Sequence, residues 1–377
     1  MKTKFYLLFI PVIALVLVSC GQNIKSSVMQ SNDTKENIKI GMSLPLTWDA
    51  ASYWLNVLAW AELAVKEAND NGWINWRKIE LVVEDDKCWP KDGVSAVNKL
   101  INVNNVDVLA GPVCSAVAWP ALSIPQKKWI PTIILGSAPD LLKAGDYIYR
   151  TYPSDSFQGK FAADLIYNNF WKKKIAVIYV KNDWGQGIKQ VFVDKYKSNG
   201  WEIVYEDWVL QDTKDLRTMM SKVKESWAEA LYFVVYPGTG VAWIKQAHDL
   251  WLNIPIIGWD AFIGDEVVKS WVADGIILTV WHMNNPDEFK AKINKLPWKE
   301  KMDVNVLAPF WYDIINVFVG ALKEAGSTDW NAVREALKKT NIDWVATPKI
   351  EFTSDRELKE VNFDIKIIKD KQAIDYK

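Results

Sequence analysis

Apolar and polar positions switch between two periods along most of this chain, and the switching sketches a fold. Ile38–Leu44 is a β-rich run, after which Leu55, Leu58, Ala61, Val65 and Ala68 recur at three- and four-residue spacing, as one face of a helix requires. Ile79–Val83 resumes the strand pattern. Val94, Val97 and Leu100 mark the next helix, Val106–Ala110 the next strand, and Ile130–Leu135 another, after a helical stretch interrupted by Pro120 and Pro125. A second set begins after Tyr152, with strands expected at Ile175–Val180, Ile203–Val209, Leu231–Tyr236, Ile254–Ile257 and Ile276–Val280, separated by helix-length segments. This βαβα order predicts α/β architecture with two parallel sheets flanked by helices. Towards the end, Val306–Ala325 and Asn331–Lys339 read as helices, and Lys349–Phe352 and Asn362–Lys369 as a terminal strand pair.

The first residues carry a different pattern. Lys2 and Lys4 precede the apolar run Phe5–Val18, the layout of a secretory signal and too short to span a bilayer comfortably. Leu17-Val18-Ser19-Cys20-Gly21 resembles the bacterial lipobox, so residues 1–20 are expected to be a lipoprotein signal peptide and Cys20 the lipidated first mature residue. Lipid there predicts an extracytoplasmic, membrane-anchored protein. Residues 21–37 are polar without apolar periodicity and read as a flexible tether.

About 340 residues remain, which suits two α/β domains. Lys plus Arg total 45 against 46 for Asp plus Glu, with no long basic cluster, so the electrostatic footprint of a nucleic-acid binder is missing. There is no Gly-x-Gly-x-x-Gly after a strand, no Walker loop and no nucleophile elbow, and the only histidines, His248 and His282, lie far apart. The chain is therefore read as neither an enzyme nor a metal or cofactor carrier. Cys88 and Cys114 each follow a candidate strand, and the two strands read as neighbours; an oxidising compartment favours a disulfide between them, with two buried free thiols as the alternative. In α/β sheets ligands bind outside the carboxyl ends of strands, which directs attention to the loops 45–53, 111–116, 136–140, 182–187, 237–240 and 259–262.

At those loops the chain resembles a known family. Leu44-Pro45-Leu46-Thr47, Val82-Val83-Glu84-Asp85-Asp86, Gly111-Pro112-Val113-Cys114-Ser115, Arg150-Thr151-Tyr152-Pro153-Ser154-Asp155 and Asn182-Asp183-Trp184-Gly185-Gln186-Gly187 look like the branched-chain amino acid (leucine, isoleucine, valine) binding proteins of ABC importers, over Ile38 to the end. The resemblance implies a type I periplasmic-binding fold, in which two Rossmann-like lobes joined by a three-strand hinge close over a ligand. Lobe I would comprise 38–153 and 282–347, and lobe II 154–281 and 348–377. The implied partners are an amino acid ligand and the permease and ATPase subunits of an importer, with the binding protein itself a monomer. Carried over residue by residue, Ser115 with Ala116 holds the ligand carboxylate, unless Ser115 merely caps a helix. Ser137 and Ala138 supply a second contact from a loop one residue shorter than the family's usual form. Asp260 pairs with the ammonium or else caps a helix, Trp184 and Tyr236 wall the pocket or belong to the core, and Tyr53 lies in the first ligand loop. Amides, urea-like compounds and aromatic acids are alternative ligands, and a sensing ectodomain working with a membrane receptor is an alternative role.

One feature of composition changes the picture. The 22 Trp outnumber the 18 Gly, and many stand where turns call for glycine, as in Gly72-Trp73, Trp76, Gly200-Trp201, Trp251 and Trp344. In the resembled family Trp48, Trp54, Trp60, Trp73, Trp76, Trp129 and Trp259 fall at positions that are commonly glycine. The expectation is a gene whose UGA codons are read as glycine by its host and rendered here as tryptophan. A genuinely Trp-rich surface for carbohydrate or membrane contact is the rival, and Trp184, where an aromatic is expected, is the exception.

Overall fold

Strands with few charges along their length form the centres of two sheets, and the amphipathic helices between them cover the faces. The computed structural model describes residues 36–47, 51–72, 74–282, 291, 308–343 and 349–376, with backbone alone for 51–56 and 308. The expected signal peptide, Cys20, nearly all of the tether, Trp48, Trp73, Trp344 and the side chains of Tyr53 and Trp54 lie outside those residues. Among the described residues no helix is long and apolar enough to cross a membrane.

In chain order the elements are β1 (Ile38–Leu44), α1 (Ala51–Asp70), β2 (Ile79–Asp85), α2 (Pro90–Asn102), β3 (Val108–Ala110), α3 (Ser115–Ala121), α4 (Ser123–Lys128), β4 (Thr132–Ile134) and β5 (Ile148–Arg150). The chain continues through α5 (Asp155–Leu165), β6 (Lys174–Val180), α6 (Asp183–Ser198), β7 (Glu202–Val209), α7 (Arg217–Glu225), β8 (Ala230–Val234), α8 (Pro237–Asp249), β9 (Ile256–Gly258), α9 (Asp265–Val268) and β10 (Ile277–Trp281). It ends with α10 (Ala308–Ala325), α11 (Trp330–Leu337), β11 (Asn341–Ile342), β12 (Ile350–Glu351), β13 (Phe363–Lys369) and β14 (Gln372–Asp375). The first sheet has the order β2-β1-β3-β4-β5 and is parallel throughout. Ile38, Ile40, Met42 and Leu44 of its interior strand β1 are buried, and α1 packs along α10.

The second sheet corrects the expectation of a wholly parallel one. Its order is β14-β13-β10-β9-β8-β6-β7, with β13 antiparallel to β10 and to β14. For β13 against β14 the reason is local: only Asp370 and Lys371 separate them, and both have positive φ (51° and 61°), the signature of a two-residue hairpin. The terminal strand pair is likewise repartnered, because Ile350–Glu351 pairs with Asn341–Ile342 and not with β13. Beyond β12 the chain runs beside β5, where Arg150 N–H donates to Arg356 O at 3.1 Å.

Cys88 and Cys114 are joined in a disulfide with Cα atoms 5.6 Å apart. Their strands are not neighbours, since β1 lies between β2 and β3, so the bond bridges loops that pass the end of β1. Beneath it the buried Asp86 accepts Ser43 Oγ–H at 2.7 Å and Cys88 N–H at 2.9 Å.

Several helix ends carry tryptophan in a left-handed conformation. Trp129, Trp171, Trp227 and Trp251 follow helical segments with φ of 60°, 52°, 58° and 54°, and Trp76 in a turn has φ 66°. All five are exposed, from 61% to 85%. Helices α6 and α10 end on Gly200 and Gly326 with the same sign of φ. The bonds that close a helix across such a residue are present, with Ile130 N–H on Pro125 O and Leu252 N–H on Ala247 O, both at 3.0 Å. A residue with a Cβ loses about 1–2 kcal/mol in this conformation. At the opposite extreme, Trp311 is fully buried and its indole N–H has no partner among the described residues.

Reduction of the disulfide, which closes a loop of 26 residues in sequence separation, is expected to cost about 3 kcal/mol by the chain-entropy relation. Urea unfolding with and without reductant measures it, and a Cys88→Ser/Cys114→Ser chain should match the reduced protein.

Candidate functional site

The loops at the carboxyl ends of the two sheets meet at Ser115, Ser137, Ala138, Tyr152, Asp155, Trp184, Asp260 and Trp281, all buried. Ser115 opens α3, but the cap of that helix is Cys114. Ser115 Oγ instead accepts Ala138 N–H at 3.1 Å, fastening the 136–139 loop to α3. With that acceptor site used, the hydroxyl retains its own proton for donation, as an anionic ligand oxygen needs. Ala116 is half-buried beside it.

The 136–139 loop is held from beneath. Arg150, fully buried, donates to the carbonyls of Gly136 (3.0 Å) and Ala138 (2.7 Å), and its guanidinium pairs with Glu357. The Ser137 carbonyl in turn accepts Asp155 N–H at 2.9 Å. Loop, crossover strand and the first residue of α5 thus form one connected frame.

The aromatic wall comes from the second sheet. Asn182 caps α6 by accepting Gly185 N–H at 2.9 Å, and its Nδ2 donates to Tyr236 Oη at 2.9 Å. Trp184 packs 5.0 Å from Tyr236 and 4.4 Å from Trp259, between ring centres. Trp259 is fixed by an indole N–H to Val235 O bond of 2.6 Å. Gly187 on α6 faces Pro139: a Cβ there would lie 2.9 Å from Pro139 Cδ, so the two sides touch at this point. A hollow of about 350 Å³ beside the contact is lined by Trp119, Ala138 and Leu141 on one side and Asp183, Gln190 and Val191 on the other. Asp155 and Asp260 do not line it.

Asp260 is fully buried in the turn after β9. Its Oδ1 accepts Ala261 N–H at 2.8 Å, a local capping bond, while Oδ2 accepts Tyr152 O–H and the Trp281 indole N–H. Burial pushes its pKa up to about 6, against the pull of those donors. Asp155 goes further, to about 8: burial is the main cause, Ser137 opposes it, and the nearby charge of Asp260 adds to it. Asp155, Arg150, Tyr152 and Trp281 are not evident as site residues from sequence, although three of them lie within the motif 150–155.

Both acids bind protons more tightly folded than unfolded, so their favourable contribution is full below about pH 4 and is lost as pH rises through 6 for Asp260 and 8 for Asp155. Carboxylates with the opposite shift, such as Asp146, lowered by Gln126 and Arg334, have given theirs by about pH 5. The ligand-free protein should therefore lose urea resistance between pH 5 and 8.5, and Asp155→Asn should flatten the upper part of that decline.

Comparison with known proteins follows the same outline. Residues 37–367 match the profile of the periplasmic binding protein family. The chain is 30% identical over 338 residues to the Leu/Ile/Val-binding protein BraC3 of Rhizobium johnstonii, covering 87% of this chain and 91% of that one. The substrate-binding protein LivJ of Streptococcus pneumoniae, solved with isoleucine, superposes with a TM-score of 0.78 at 23% identity, over 90% of this chain and 100% of the other. A solute-binding protein of R. palustris solved with benzoate superposes with a TM-score of 0.80 at 20% identity, over 90% and 95%.

Proposed function

Because the chain belongs to the periplasmic binding protein family, we propose that it is the extracytoplasmic solute-binding subunit of an ABC importer, taking a branched-chain or similar amino acid between two lobes. The observation that carries this reading is the buried polar frame at the sheet ends: a Ser115 hydroxyl whose proton is left for an anion, and a buried acid, Asp260, in the turn after β9. One end suits a carboxylate and the other an ammonium, while Trp184 and Tyr236 supply apolar wall. Lobe I is assigned 38–153 and 282–347, lobe II 154–281 and 348–377, and the lipid on Cys20 holds the protein at the membrane as a monomer that meets permease and ATPase subunits. A second reading, an aromatic acid without an amine, draws on the benzoate-bound relative and on Asp260 having Tyr152 and Trp281 as donors already.

We also infer that many of the tryptophans are glycine in the protein its host makes, through UGA read as glycine. Support comes from the left-handed, exposed Trp76, Trp129, Trp171, Trp227 and Trp251, which stand where only glycine avoids a conformational penalty. On this reading Trp259 and Trp281, which crowd Trp184 and Asp260, are candidates for the same substitution, and their loss enlarges the cleft.

Two outcomes are expected. Leucine, isoleucine or valine at a hundred times its Kd stabilises the protein by about 2.7 kcal/mol in a thermal-shift assay, and the matching keto acids do not; stabilisation by benzoate-like acids alone selects the second reading. Peptide masses from the natively made protein show glycine at 76, 129, 171, 227 and 251. In a recombinant tryptophan-bearing chain, each replacement by glycine there raises stability by about 1 kcal/mol.

A further inference from the structure

Glycine inside a helix weakens it relative to alanine, so a helical glycine needs a reason. Gly185 in the first turn of α6 has one within its own side of the molecule, since a Cβ there would lie 2.1 Å from Val180 O. Gly187 does not. It sits one turn into α6 without positive φ, where alanine would serve the helix better. The atoms nearest a Cβ at 187 are Pro139 Cδ at 2.9 Å, then Ala138 Cβ and Pro139 Cγ, both at 3.9 Å. All of them belong to the 136–139 loop, which follows β4 of the first sheet, whereas α6 follows β6 of the second.

Neither side has room to give. Pro139 Cδ is part of a ring closed on the backbone nitrogen, so it cannot swing away as the end of a long side chain would. The loop carrying it is clamped by Arg150 on the carbonyls of Gly136 and Ala138, and by the Ala138 N–H bond to Ser115 Oγ at 3.1 Å. On the other side α6 is seated on α5: a Cβ on Gly159 would lie 3.0 Å from Ile188 O and 3.2 Å from Phe192 N. A methyl group at 187 is therefore accommodated only by moving α6 and the loop apart. The face of α6 that would move carries Asp183, Gly187, Gln190 and Val191, which wall the hollow of about 350 Å³ against Trp119 and Ala138.

We propose that Gly187 is a positioning residue that fixes how closely α6 comes down on Ala138, and that its missing side chain is what lets the two sides close over a ligand. This rests on the amino acid reading above and adds to it the residue that limits closure. Two effects of opposite sign follow for Gly187→Ala. With the sides apart the methyl meets nothing and favours the helix; with the sides together it meets the Pro139 ring.

The test is binding of L-leucine, L-isoleucine and L-valine to the full chain by calorimetry and stopped flow, beside thermal unfolding without ligand. The proteins compared are the unaltered chain, Gly187→Ala, Pro139→Ala and the double variant. Gly320→Ala serves as control, an exposed glycine within α10 with nothing inside 4 Å of its Cβ position. Gly187→Ala is expected to bind about tenfold more weakly, with the loss carried by faster dissociation. Its ligand-free melting temperature stays level or rises, as that of Gly320→Ala does. In the Pro139→Ala background, where the ring carbon is gone, the same change weakens binding less than about twofold. Gly187→Ala that binds as tightly as the unaltered chain overturns the proposal. So does a loss of affinity that persists undiminished beside Pro139→Ala, or a ligand-free melting temperature that falls, which would make the contact permanent packing. Absence of binding by the unaltered chain to all three amino acids removes the reading beneath, and this role with it.

Discussion

A single buried cation organises the site. Arg150 ends β5 with no exposure to solvent, and the cost of that burial is met by Glu357 and by carbonyls of the 136–139 loop. Those carbonyls can face Arg150 only if the loop turns its N–H groups and side chains the other way. Ala138 N–H then reaches Ser115, and the Ser137 carbonyl accepts Asp155 N–H. Removing the guanidinium would leave several acceptors and a carboxylate without this partner, so the loop, and with it Ser137 and the Ala138 bond to Ser115, depends on this residue.

The same frame connects the two sheets. Asp155 begins the helix that follows the crossover from the first sheet, Gln158 one turn later donates to Thr279 O at 3.1 Å, and Thr279 lies in β10 of the second sheet. Tyr152 and Trp281, from the same crossover region, converge on Asp260 with ring centres 5.8 Å apart. These buried polar groups are therefore set where the chain passes between sheets, while Trp184, Tyr236 and Trp259 form an aromatic cluster that belongs to the second sheet alone.

Most of the architecture was legible in the sequence because parallel strands buried on both faces leave a strong apolar signature: Ile38–Leu44 is recovered with its own ends, and the other long strands within a residue or two. What escaped had short or nonlocal causes. The three-residue β5 is too brief for any period to appear, and its Arg150 reads as a polar break rather than as a buried anchor. The antiparallel hairpin was hidden because Asp370-Lys371 lacks the glycine that announces such turns. Ser115, Ser137, Ala138, Trp184, Tyr236 and Asp260 were reached through motif resemblance, and the structure brings Ser115 to Ala138 and Trp184 to Tyr236. Asp155 was passed over since an acid at the start of a helix has an ordinary explanation; only its burial and its unpartnered oxygen set it apart. The tryptophans at helix ends were suspicious by position, and their φ angles supply the physical reason.

The most direct measurement is a crystal structure of the protein grown with leucine, isoleucine and valine together. The account predicts one amino acid in the cleft, its carboxylate on Ser115 and its ammonium on the Asp260 side, with Trp184 against its side chain. An amino acid bound elsewhere, or in the cleft with its carboxylate turned towards Asp260, would contradict it.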